Sequence, residues 1–90
     1  MTVADWQKID GDHVADSLRA ISERLQASNG ELVLDFTRVA RVDAEALTEL
    51  SRLADQAEHK KIRLVLLAVN VDAYKVLKLA KLTERLSFRH

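Results

Sequence analysis

A change of apolar period across residues 32–57 constrains this chain more than any other feature. Leu32, Val33 and Leu34 are consecutive apolar residues, followed by Asp35 and Phe36. A run this short with a β-branched member suits a strand buried on both faces. Residues 37–42 then form a connector whose apolar anchors are Val39 and Val42. Beyond Asp43 the spacing changes: Ala46, Leu47, Leu50, Leu53, Ala54 and Ala57 recur every three or four residues, the stripe of one helix face. Asp43 stands at the N-cap position, where its carboxylate can accept from free amides of the first turn. The segment therefore reads as strand, connector and capped helix. The helix starts at the strand's carboxyl end, where open α/β sheets meet ligands and partners.

The flanking sequence repeats this alternation. Residues 3–9 alternate weakly and predict a short strand, with Trp6 packing in or at the edge of the core. Gly11 breaks it. Val14, Leu18, Ile21 and Leu25 predict a helix near 13–27 that starts at Asp12 or His13, with Asp12 and Asp16 favoured by the helix dipole. Asn29 and Gly30 end it. The second helix is expected over 44–58 and fades through the cations His59, Lys60 and Lys61, with no glycine at the turn. Residues 62–69 are the most apolar run and predict a central strand. A turn at 70–72, with Asn70 or Asp72 as cap, leads into a helix near 73–82 interrupted by Lys75, Lys78 and Lys81. Leu86 and Phe88 suggest a short edge strand. The order β-α-β-α-β-α-(β) predicts a small α/β domain spanning 1–90, with helices packed on a mainly parallel or mixed sheet. Leu34, Leu47, Leu50, Leu66 and Leu77 are its expected core.

The same residues narrow the chemistry. The 90-residue chain has no cysteine, which removes disulfides, thiolate nucleophiles and cysteine metal sites. His13, His59 and His90 lie far apart without metal-ligand spacing, so no metal is expected. No GxSxG elbow, P-loop or GxGxxG occurs, and no serine has a nucleophile's setting, so an enzyme is not expected and no cofactor is implied. Neither a signal peptide nor a membrane-length apolar run is evident, which makes a cytoplasmic protein the expectation. The net charge is zero, which argues against nucleic acid as the main target. The charge is nevertheless divided: residues 1–45 carry 5 Lys/Arg against 9 Asp/Glu, and residues 46–90 carry 9 against 5. Such a bipolar surface can orient a protein partner. Asp35 and Asp43 are the one carboxylate pair of interest. Both are expected at one rim of the sheet, chiefly as strand-end and cap residues, with no phosphate cradle beside them.

The run Glu31-Leu32-Val33-Leu34-Asp35-Phe36-Thr37, then Val42-Asp43, a Leu-rich helix and Ile62-Arg63-Leu64-Val65-Leu66, resembles the STAS domain of bacterial anti-sigma factor antagonists. The likeness covers roughly residues 31–86. In that family the Asp opening the helix is followed by Ser-(Ser/Thr/Ala)-Gly, and in the antagonists a partner kinase phosphorylates the serine to break the complex. Here Ala44 stands at the serine position, Glu45 follows, and Ala46 replaces the glycine. The resemblance implies a non-enzymatic regulatory module that binds an anti-sigma factor or switch kinase, without the usual phosphoacceptor. The implied partner surface is Thr37, Arg41, Asp43, Ala44, Glu45 and Thr48. A second implied role is an accessory subunit on the ATPase of the bacterial phospholipid-transport ABC complex. Residues 69–75 and the Leu/Lys-rich helix after them resemble that branch.

Overall fold

The computed structural model describes residues 5–25 and 30–89. Its elements are β1 (Asp5–Lys8), α1 (Val14–Arg24), β2 (Glu31–Asp35), α2 (Ala44–Lys60), β3 (Arg63–Leu67), α3 (Val71–Leu79) and β4 (Ser87–Arg89). The strands pair in chain order and every pairing is parallel. The expected start of the first strand at 3–4, the end of the first helix at 26–27 and the breaker Asn29 lie outside the described residues.

Parallel neighbours in chain order, joined by right-handed crossovers, put their helices on one face of the sheet. The packing agrees. Leu32, Leu34, Leu64 and Leu66 form one core cluster with Leu18 and Ile21 of α1, Leu50 and Leu53 of α2, and Ala73 and Leu77 of α3. Val33 and Val65, neighbours in the register, point to the opposite face yet are also buried. β2 and β3 are thus enclosed on both sides, as continuous apolar runs require.

Several expectations are corrected in detail. Trp6 is 54% exposed rather than packed in the core. It shares a register row with Val33 and Val65, so it projects from an outer strand on the face away from the helices. Leu47 is only half-buried, because it flanks the α2 stripe and lines a surface groove with Thr48, Ser51 and Leu82. Leu34, Leu50, Leu66 and Leu77 are fully buried. The third strand stops at Leu67, where Ala68 turns the chain with a φ of 60°. The third helix runs two residues earlier and stops three residues sooner than its apolar spacing suggested. Asn70 is its cap, with Oδ1 accepting the Ala73 amide at 2.7 Å.

Two helices end without glycine. Lys61 and Lys81 adopt left-handed conformations, with φ of 59° and 61°. The next residues close the turns: the Ile62 amide donates to the Ala57 carbonyl and the Leu82 amide to that of Leu77. These six-to-one bonds are Schellman closures, held by burial of the apolar residue after the turn. Ile62 and Leu82 are both buried. α2 therefore continues through His59 and Lys60 to an abrupt stop, rather than fading from residue 58.

Candidate functional site

Three loops gather at the carboxyl edge of the sheet, and their contacts are made largely through backbone atoms. The β1–α1 loop meets the β2–α2 connector at Gly11, where a Cβ would lie 2.0 Å from the Arg38 carbonyl oxygen. Only a residue without a side chain allows that approach. On the other side, the β3–α3 loop reaches the same connector through Asn70, whose Nδ2 donates to the Val39 and Ala40 carbonyls at 3.0 and 3.1 Å. Val39 and Val42 are buried beneath, and Val39 closes a tight turn by donating its amide to the Phe36 carbonyl. The connector is anchored along its length, and the exposed residues between its anchors are presented on a fixed frame.

The helix start projects from that frame. Asp43 is extended, with φ −87° and ψ 179°, and its Oδ1 accepts the Ala46 amide at 2.8 Å, as the sequence predicts for a cap. Ala44 and Glu45 are exposed on the first turn. Thr48 lies one turn further, exposed, with its hydroxyl donating to the Ala44 carbonyl at 3.0 Å. Arg41 is exposed and lines an open cleft of about 460 Å³ with Asp43 and, across it, Gly11, Asp12, Val14 and Ala15. Asp43, Ala44, Glu45 and Thr48 thus form one contiguous group, and Arg41 adjoins Asp43 in the cleft. Thr37 is exposed just beyond the end of β2. Its amide and hydroxyl both donate to Asp35 Oδ1. The Thr37 hydroxyl, then its amide, hold the Asp35 carboxyl below the usual range, against a smaller opposing effect of burial. Asp35 is therefore a loop-closing residue, consistent with the modest role its sequence position suggested.

Charge around the helix start is set from α1. Arg19 contacts Asp16 at 3.0 Å, Glu45 at 3.4 Å and Glu49 at 3.5 Å, so one guanidinium faces three carboxylates. The Coulombic pull of Glu49, foremost, raises its pKa further above an already high value. Glu49 is the one buried charged residue among the described ones, and its Oε2 has no hydrogen-bond partner. Sequence reasoning missed this cluster, although a carboxylate between Ala46 and Leu50 was a visible fault in the apolar stripe. Gly11 was read only as a breaker, and nothing in the sequence linked Asn70 to a connector thirty residues away. Among the described residues no three His, Asp or Glu side chains gather as a metal site, and no helix is long and apolar enough to cross a membrane.

Comparison with known proteins bears on the fold and the family. No curated protein matches the sequence. Among solved structures, a Thermotoga maritima protein described only provisionally as an anti-sigma factor antagonist superposes with a TM-score of 0.66 at 14% identity. The match covers 98% of this chain and 74% of that one. At that identity the likeness speaks for the fold alone: the same small α/β arrangement built from different side chains. The sequence profile of the STAS domain matches residues 7–89, which takes in every strand and helix described above apart from the first residues of β1, and the chain belongs to the STAS family.

Proposed function

We propose that this protein is a non-enzymatic regulatory module of the antagonist type, acting in the cytoplasm, that binds a protein partner through the start of α2 and its connector. The partner class is an anti-sigma factor or switch kinase. The observation that carries the reading is the exposed first turn of α2, built on a cap and an anchored connector, with Ala44 at the family's serine position. A phosphate there would meet free amides and the positive end of the helix dipole, but Ala44 has no hydroxyl to receive one. Glu45 instead supplies a permanent carboxylate, paired with Arg19. The module is then fixed in one signalling state. Thr48 does not substitute, since its hydroxyl lies one turn into the helix and is directed to the Ala44 carbonyl.

Pulldown from native extract identifies the partner, and two variants then test the surface. Glu45→Lys is expected to weaken the complex roughly tenfold, the scale of a charge reversal at an interface rim. Its pairing with Arg19 is exposed and screened by solvent, so the fold tolerates the change. Unchanged affinity in Glu45→Lys and in Ala44→Trp would move the contact elsewhere. Incubation with the partner and ATP-Mg, followed by peptide mass spectrometry, tests the fixed state. No phosphate is expected on residues 43–48 of the native protein, whereas Ala44→Ser becomes modified. Stoichiometric phosphate on Thr48 would overturn the fixed state. Recovery of an ABC transporter ATPase instead of a kinase-like protein would assign the module to the accessory-subunit role.

A further inference from the structure

Asn70 uses its whole side-chain amide. Oδ1 accepts the Ala73 amide at 2.7 Å and caps α3. Nδ2 donates both of its hydrogens across to the connector, to the Val39 and Ala40 carbonyls. Four residue types cap helices well, namely Ser, Thr, Asp and Asn. Asn alone among them can accept from a helix amide and also donate two N–H groups to a second segment. A cap by itself does not require Asn, but a cap that also holds a neighbouring loop does.

The two carbonyls it holds precede Arg41, Val42 and Asp43, the residues that lead into α2. From the opposite side the connector is packed against the backbone at Gly11, a contact that limits approach but supplies no hydrogen bond. Ala40 and Arg41 are exposed, and Val42 is the last buried anchor before the cap. We infer that Asn70 is a positioning residue: by tying the Val39 and Ala40 carbonyls to the α3 cap, it sets the course of the connector and hence the presentation of Arg41, Asp43 and Glu45. The inference rests on the binding surface proposed above, and it adds that the start of α3 controls that surface without itself being the contact.

Asn70→Asp separates the two tasks of the residue. Aspartate keeps the acceptor for the Ala73 amide but has no hydrogen to donate, and it sets a carboxylate against two carbonyl oxygens. Exchange of the Val39 amide, and the amide shifts of residues 38–43, are read by NMR on the full chain beside the amides of α3. The Val39 amide is expected to exchange roughly tenfold faster, with shift changes confined to the connector, while protection within α3, at Val76 and Leu77, is retained. Asn70→Ser, which also caps but is too short to bridge, gives the same pattern and serves if the aspartate variant does not fold. Connector exchange and shifts like those of the native protein in either folded variant would overturn the inference. Partner affinity is the second readout: it falls in Asn70→Asp if the connector presents the surface. A loosened connector with full affinity would overturn the control of binding, and through it the placement of the surface, while leaving the tether itself in place.

Discussion

At the scale of single residues, small polar contacts at the strand ends shape the edge where the loops meet. Asp35 ends β2 and receives two donors from Thr37, which holds its carboxyl below the ordinary range. A depressed folded-state pKa contributes stability above the unfolded pKa, and that contribution is lost as pH falls through the folded value. Thr37→Val keeps the shape and the amide donor but removes the hydroxyl, the larger of the two causes. The variant is expected to be less stable than the native chain at neutral pH. The difference should shrink as pH falls below the ordinary carboxylate range. Urea titrations at a series of pH values measure this, and a difference independent of pH would show that Thr37 acts by packing alone. Glu49 and Arg19 illustrate another residue-scale feature: a buried carboxylate with one unpartnered oxygen is kept beside a guanidinium that also reaches Glu45. Removing the guanidinium would leave Arg52, 3.9 Å from Oε1, as the remaining cation beside the Glu49 carboxylate in a poorly solvated helix interface.

At the scale of elements, α2 and α3 are well started and strained at their ends, whereas His13 gives α1 no side-chain cap. Asp43 and Asn70 satisfy first-turn amides with side chains of the expected type. The C-terminal turns of α2 and α3 instead place lysines in the left-handed region, where a Cβ crowds the following carbonyl at a cost of roughly 1 kcal/mol. Apolar burial after the turn compensates, through Ile62 and Leu82. Lys61→Gly should relieve that crowding and stabilise the protein by up to about 0.5 kcal/mol, after the greater freedom of glycine in the unfolded chain is allowed for. The measurement is the shift in denaturation midpoint at constant slope. A loss of stability would mean that the Lys61 side chain makes a compensating contact. The C-terminal segment is fastened back to α2 as well, since Arg85 pairs with both Asp55 and Glu58.

At the scale of the whole molecule, one two-layer core links the helices to the sheet, with Leu50 fully enclosed in it. Leu50→Ala is expected to cost about 2–5 kcal/mol, the sum of lost transfer energy and a residual cavity. For a domain of this size that is a large part of the total stability. Denaturant titration reads it directly, and a change below about 1 kcal/mol would place Leu50 at a site that collapses freely. Because the same core seats α2 against β2 and β3, the variant also loosens the frame of the proposed binding edge.

The sequence by itself determined the element order, the parallel sheet, the Asp43 cap and the buried faces, because these follow from apolar period and local hydrogen-bond chemistry within a few residues. The family pattern was legible for the same reason: it is carried by Leu32 to Asp35, Asp43 and Ile62 to Leu66, residues whose burial or capping role is local. What only the tertiary structure decided lies between segments distant in the chain. Trp6 is exposed because its strand lies at the sheet's edge on the face without helices, a fact of strand order. Lys61 and Lys81 can end helices because buried Ile62 and Leu82 hold the turns closed, and propensity alone favours glycine there. Gly11 is required by the Arg38 carbonyl, and Asn70 by the carbonyls of Val39 and Ala40. Such contacts end on backbone atoms across three loops, and backbone atoms are common to every residue, so the sequence carries no mark of which ones will meet.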